Sequence, residues 1–240
     1  MSAAYKKLMS LVIVPIYLVL ILWVVHILKL TFNLNLSSYG VIARDWSGVK
    51  GIFTSPFIHG SLQHLMSNSV PLFVLSTMII VFYRKVAYQS ILLIYVMTGV
   101  AVWMFSRPYV SHIGASGVVY GLVSFVFWSG LFRRNIKSIV LALIVTILYS
   151  GYALGVLPNQ KGISWESHLF GAFVGVIVAF WYRDIRESDE QDREPSWSGE
   201  DEADSEYFLP RDAFELTREE RRRAQLEDDD ISNIWTSDKT

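Results

Sequence analysis

Six long apolar runs punctuate the chain: Leu8–Leu30, Leu62–Tyr83, Tyr88–Phe105, Gly114–Phe132, Ile136–Leu157 and Trp165–Tyr182. Each runs to 18–23 residues, the length at which a helix crosses a hydrocarbon layer of ~30 Å. The runs are continuous rather than alternating, which disfavours the strands of a membrane barrel. Backbone polar groups in lipid must be paired within the segment, which also selects helices. The pattern therefore predicts an all-α membrane protein, a bundle of six transmembrane helices. Composition agrees, with 52% hydrophobic residues and a mean hydropathy of +0.35, too apolar for an ordinary soluble domain.

The polar segments between the runs set an orientation. Lys6/Lys7, Arg84/Lys85, Arg133/Arg134/Lys137 and Arg183/Arg186 lie at one set of ends, against Arg44, Lys50, Arg107 and Lys161 at the other. The positive-inside rule then places both termini in the cytoplasm; the expectation is a multi-pass protein of the cell membrane, although the charge pattern itself does not distinguish one membrane from another. The starts of the second, fourth and sixth runs fall on the outer side. The first run, led by Lys6 and Lys7, lacks a small-residue cleavage site and reads as a retained helix rather than a signal peptide. The connection Thr31–Ser61 carries Trp46, Phe53, Pro56 and Phe57 with few charges, and is expected to lie amphipathically in the membrane interface.

Charge divides the chain. The net charge of −1 conceals 20 of the 22 acidic residues, but only 8 of the 21 basic ones, in residues 184–240. The sequence thus predicts a six-helix domain over residues 1–183 and a polar, largely disordered cytoplasmic acidic tail over 184–240. Arg211–Leu226 could form a short charged helix, but a solvated tail is the preferred reading. The absence of cysteine excludes disulfides, thiolate metal sites and a cysteine nucleophile.

Candidate chemistry gathers at the outer ends. His59, His64, His112 and His168 all fall there; His26, near the outer end of the first run, reads as a satisfied or interfacial side chain. In Gly114-Ala115-Ser116-Gly117 a serine sits among small residues at a helix start, where free backbone N–H groups and the positive helix end favour a developing oxyanion. Glycines at such positions also serve plain packing. Gly117/Gly121 and Gly171/Gly175 form two GxxxG pairs that let backbones approach. If those faces meet, Ser116 and His168 share a depth, and His168 is placed to take the Ser116 hydroxyl proton. His64 and Asn68, at i and i+4, share a face, with Asn68 about 6 Å deeper, and both can donate hydrogen bonds into a cavity. A zinc site is disfavoured: there is no His-Glu-x-x-His pattern, and Asp45 and Glu166 are the only carboxylates nearby. Glu166 lies two residues before His168, off its helix face, so a dyad is expected rather than a triad.

Taken together, His64-x-x-x-Asn68, Gly114-Ala115-Ser116-Gly117-Val118-Val119-Tyr120 and His168-x-x-Gly171-x-x-x-Gly175 resemble the motifs of the rhomboid family of intramembrane serine proteases, in that family's order and over roughly residues 8–183. The resemblance implies Ser116 as nucleophile, His168 as general base, and an oxyanion hole of the Ser116 N–H with the His64 and Asn68 side chains. It implies that Tyr120 packs on His168 and that Gly114 is the glycine before the Ala-Ser-Gly turn. Substrates would be transmembrane segments of other proteins, cut near the outer leaflet; the lipid bilayer is the other partner, and neither a cofactor nor a nucleic acid is implied. Many members carry a Trp-Arg pair before the second helix, where this chain reads Val49-Lys50-Gly51-Ile52. A catalytically silent relative that binds membrane clients is the alternative, which intact Ser116 and His168 disfavour. A transporter would call for charges or broken helices at mid-depth.

Overall fold

A computed structural model describes residues 3–158, 164–187, 217–220 and 222–223. The chain divides into two units, Met1–Gln191 and Asp192–Thr240. The first is mostly helical: α1 (Ala3–Thr31), a short α2 (Gly51–Thr54), α3 (Leu62–Phe82), α4 (Ala87–Phe105), α5 (Ser116–Arg133), α6 (Ile136–Tyr149) and α7 (Trp165–Trp181). Two-residue strands β1 (Val41–Ile42) and β2 (Ser111–His112) pair antiparallel. Among the described residues, five segments are long and apolar enough to cross a membrane: Met9–Thr31, Leu62–Phe82, Ala87–Phe105, Ser116–Arg133 and Ile136–Val156. The sixth apolar helix, Trp165–Trp181, is shorter, at 17 residues. Lys161 and nearly all of the acidic tail lie outside the described residues. Within the charged stretch 211–226, residues 218–220 and 222–223 are helical, led by a capping box. There Thr217 N–H donates to Glu220 Oε2 (2.7 Å) and Glu220 N–H to Thr217 Oγ1 (3.4 Å).

Polarity in the first unit is inverted relative to a soluble protein. Leu20, Val24, Ile27, Leu143, Ile147, Phe173 and Trp181 are exposed, whereas Ser76, Ser90, Ser129 and Ser138 are buried. α1 and α6 are the least enclosed spans and α5 the most, so α5 is the central post. Around it pack Leu65, Leu75 and Ile79 of α3, Ile94 of α4 and Val174 and Val178 of α7, with Val119, Leu122 and Phe125 from α5 itself.

The most extensive helix pair is α5 with α7. Apolar side chains gain little by leaving lipid for one another, so close packing must come from small residues. Gly171 lies so near Gly117 that an added Cβ would enter the Gly117 carbonyl oxygen, and Gly175 stands in the same relation to Gly121. Ser124 Oγ donates to Ala172 O (2.6 Å), and at the far end the Arg133 guanidinium donates to Tyr182 O (3.2 Å). The two GxxxG pairs therefore face each other on parallel helices.

Two boundaries differ from the sequence expectation. The fourth run becomes helical only at Ser116, because Gly114 adopts φ +107°, outside any right-handed helix. The fifth run leaves the α-helix at Tyr149 and continues as a 3-10 segment, Ser150–Val156, a stretch where Gly151 and Gly155 weaken helix propensity. The connection 31–61 is folded rather than open. Arg44 N–H donates to Trp103 O (2.9 Å), Trp103 Nε1 donates to Asp45 O (2.9 Å), and the Tyr95 hydroxyl donates to Phe53 O. These bonds lash it onto α4 and leave Trp46 and Phe53 exposed with Pro56 buried.

Gly171→Val should weaken the bundle by about 1–3 kcal/mol, the usual cost of overpacking. Gly151→Val, where an added Cβ meets nothing within 4 Å, should leave thermal unfolding in lipid or detergent nearly unchanged. Equal behaviour of the two variants would contradict the packing described.

Candidate active site

One end of the bundle carries the starts of α3, α5 and α7. Ser61 caps α3, its hydroxyl accepting from His64 N–H (3.2 Å). His64 and Asn68 follow on the face turned toward Gly114. A Cβ built on Gly114 would stand 2.6 Å from His64 Cε1 and 3.8 Å from Asn68 Nδ2. The turn before α5 thus needs glycine twice over, for its positive φ and for the imidazole against it. Asn68 is buried and spends one amide hydrogen on His64 O (3.0 Å), leaving the second for another acceptor.

The turn itself is held from the side. Gly114 N–H donates to Ser55 O (2.9 Å), and Ala115 N–H donates to His59 Nε2 (3.5 Å). His59 is fully enclosed, edge-on to His64 at 5.0 Å. Burial, with His64 beside it, pushes its pKa down to about 4, so it stays a neutral acceptor. Val119 N–H makes the first helical bond, to Ala115 O (3.0 Å). The N–H groups of Ser116, Gly117 and Val118 are therefore the unpaired donors of the helix start. The Ser116 hydroxyl, half-buried, makes no hydrogen bond among the described residues.

His168 enters from the first turn of α7. Its ring lies flat on Tyr120, centroids 4.1 Å apart and planes 9° from parallel. Tyr120 is one helical turn from Ser116 on the same face of α5. Tyr152, from the 3-10 segment, packs tilted against the same tyrosine, with centroids 4.9 Å apart. His168 Nδ1 lies 2.8 Å from Gly155 O. A carbonyl can only accept, so Nδ1 carries the proton and Nε2 keeps its lone pair. A Cβ at residue 155 would strike the Tyr120 hydroxyl, so glycine is required where that carbonyl approaches.

The structure thus gathers Ser116, His168, His64, Asn68, Tyr120, Gly114 and Gly117 at or just below one end of the bundle, with Gly171 against Gly117 and Gly175 deeper, against Gly121. His26, on α1, is buried and acts electrostatically on His59. Among the described residues no group of three or more histidines and carboxylates is placed to hold a metal ion. Sequence reasoning missed Gly155 and Tyr152; the only trace was a pair of glycines interrupting an apolar run. It also missed the contacts of Glu166, which pairs with Arg107 (3.1 Å) away from His168.

A bundle of apolar helices with a serine and a histidine on two interlocked helices defines a class of polytopic membrane protein, and comparisons with known proteins place the chain within it. The rhomboid domain model matches residues 46–185. Uncharacterized proteins of Mycobacterium bovis and Mycobacterium tuberculosis are each 31% identical over 170 residues, spanning 68% of this chain and 71% of theirs. A protein of Acanthamoeba polyphaga mimivirus named as a rhomboid protein is 29% identical over 128 residues, 50% of this chain and 68% of its own. The chain belongs to the rhomboid family and is a multi-pass membrane protein.

The imidazole geometry is open to direct measurement. Nitrogen NMR of histidine-labelled protein at mildly alkaline pH should show His168 protonated at Nδ1 and bare at Nε2; the opposite tautomer would contradict the Gly155 contact.

Proposed function

We propose that this chain is an intramembrane serine endopeptidase that cleaves transmembrane segments of other membrane proteins near the outer leaflet. The observation that carries the reading is the orientation of His168: a backbone carbonyl holds Nδ1–H, and Tyr120 fixes the ring plane. The basic Nε2 is left for a hydroxyl one helical turn along the face of α5. A carboxylate does this orienting work in a serine triad; here the Gly155 carbonyl takes that part.

The reaction is acyl transfer. His168 Nε2 removes the Ser116 proton as Oγ attacks the scissile carbonyl, and the imidazolium returns the proton to the leaving amine. The tetrahedral oxyanion is met by the Ser116 N–H, the free amide hydrogen of Asn68 and the His64 ring, at the positive end of α5. Water entering at this end then releases the acyl group. Small residues around Ser116 suit a small substrate side chain at the cut. In this reading α7 is the sixth span, so the protease domain of residues 1–183 crosses the membrane six times. Its basic ends face the cytoplasm together with both termini and the tail 184–240.

Purified protein in liposomes should cut a reporter transmembrane substrate, and Ser116→Ala and His168→Ala should not, while unfolding at the parental temperature. Asn68→Ala should lower kcat on the order of 10²-fold. A fluorophosphonate probe should label the parent and not Ser116→Ala. Cutting by Ser116→Ala overturns the assignment, and a folded parent that binds substrate helices without cutting or labelling favours a silent client-binding protein.

A further inference from the structure

Beside the candidate dyad lies a second polar cluster that the reaction does not use. Glu166, in the first turn of α7, is buried. Its Oε1 accepts from Arg107 N–H (3.1 Å) and from Arg107 Nε (3.1 Å). Its Oε2 makes no hydrogen bond among the described residues and lies 3.9 Å from His112 Nε2. His112, on β2, is buried as well. Its Nε2 is 3.0 Å from Ser106 Oγ at the end of α4, and its Nδ1 is 2.5 Å from Ser164 Oγ just before α7. Ser164 Oγ in turn meets Ser167 Oγ at 2.7 Å, and β2 pairs His112 with Val41 of β1. Around this one imidazole, the 31–61 connection, the end of α4 and the start of α7 are fastened together.

A carboxylate in such a place is costly unless it is held by partners. The segment it grips, 106–112, leads directly into the Gly114–Ser116 turn. Glu166 is two residues from His168 and points away from it, so it has no part in proton transfer.

We propose that Glu166 is a positioning residue: with Arg107 and His112 it clasps the first turn of α7 to the segment leading into α5, and so fixes His168 against Ser116. This rests on the reading of those two residues as the catalytic pair.

The cluster carries its own pH signature. Burial holds the His112 imidazole below its usual range, Glu166 works against that depression, and Arg107 adds to it. These are the two charged groups acting on it among the described residues. A histidine whose folded pKa is depressed contributes full stability above its unfolded value, about 6.5, and loses it as pH falls below that. Without the Glu166 charge the depression deepens, so the loss on acidification is greater.

The test is Glu166→Gln, which keeps the shape and removes the charge, alongside Arg107→Gln and Glu166→Asp. In liposomes Glu166→Gln should lower kcat by about ten- to a hundredfold with KM little changed, the scale of a misplacement of about 1 Å. The deficit should widen as pH falls from about 8 to about 5.5, across the histidine range. Glu166→Asp should restore part of the activity. Because the chain has no cysteine, spin labels at Val110→Cys and Leu169→Cys, both partly exposed positions, read the clasp without any activity. The distance distribution should be narrow in the parent and broader in Glu166→Gln and Arg107→Gln. Parental kcat at every pH, or a pH-independent loss that follows the unfolded fraction, overturns the proposal, and so does an unchanged label distance. A parent that neither cuts nor reacts with fluorophosphonate defeats the dyad reading instead, and the label distance then still decides whether the clasp exists.

Discussion

Everything at the site depends on how closely two helix backbones approach. Gly117 and Gly121 of α5 sit against Gly171 and Gly175 of α7 with no room for a side chain between them. In a soluble protein, burial of apolar surface would drive such a contact. In lipid that drive is small, and the close fit of small residues takes its place. The approach sets helix depth as well as helix distance. With Gly171 seated on Gly117, His168 is carried one turn earlier on α7, level with the first turns of α5, where its ring meets Tyr120. Were the helices held apart by a pair of methyl groups, the stacked rings at 4.1 Å would lose their register.

The second constraint is on the imidazole. In the proposed reaction His168 is the general base, which needs the right tautomer as much as the right place. The 3-10 segment Ser150–Val156 supplies it, by ending α6 early and turning the Gly155 carbonyl toward His168 Nδ1. The same segment brings Tyr152 onto Tyr120, so one stretch of irregular backbone fixes both the ring and the surface it rests on. The turn before Ser116 is fixed in parallel, by Ser55 O and His59 from the 31–61 connection. Burial keeps His59 neutral, so it accepts the Ala115 N–H and brings no charge beside the serine.

Much of this was legible in the sequence. The apolar runs located the long helices, and the paired GxxxG spacings matched the helices that meet. Ser116, His168 and His64 stand out as candidates in the sequence because each sits near a helix start, and Asn68 because it follows His64 by one helical turn. What stayed hidden was tertiary. Nothing in Tyr149–Leu157 says that its α-helix stops after one residue, since glycines also occur inside membrane helices. The carbonyl of Gly155 has no signature, because every residue has a carbonyl. Glu166 was correctly excluded from the face of His168, yet its partners Arg107 and His112 lie more than fifty residues away in a connection with no periodic pattern to place it. The 31–61 connection read as an interfacial loop because its aromatic residues show in composition, whereas its backbone bonds to α4 do not.

The central claim is geometric: helices joined through glycine bring an imidazole nitrogen with a free lone pair to a serine hydroxyl. An experimental structure of the protein in a lipid bilayer, at a resolution that places side chains, tests it most directly. The account predicts Ser116 Oγ and His168 Nε2 within about 2.6–3.2 Å or joined through one water, with Nδ1 still on the Gly155 carbonyl. Finding the two residues separated by an intervening side chain, or His168 turned so that Nε2 meets the carbonyl instead, would contradict it.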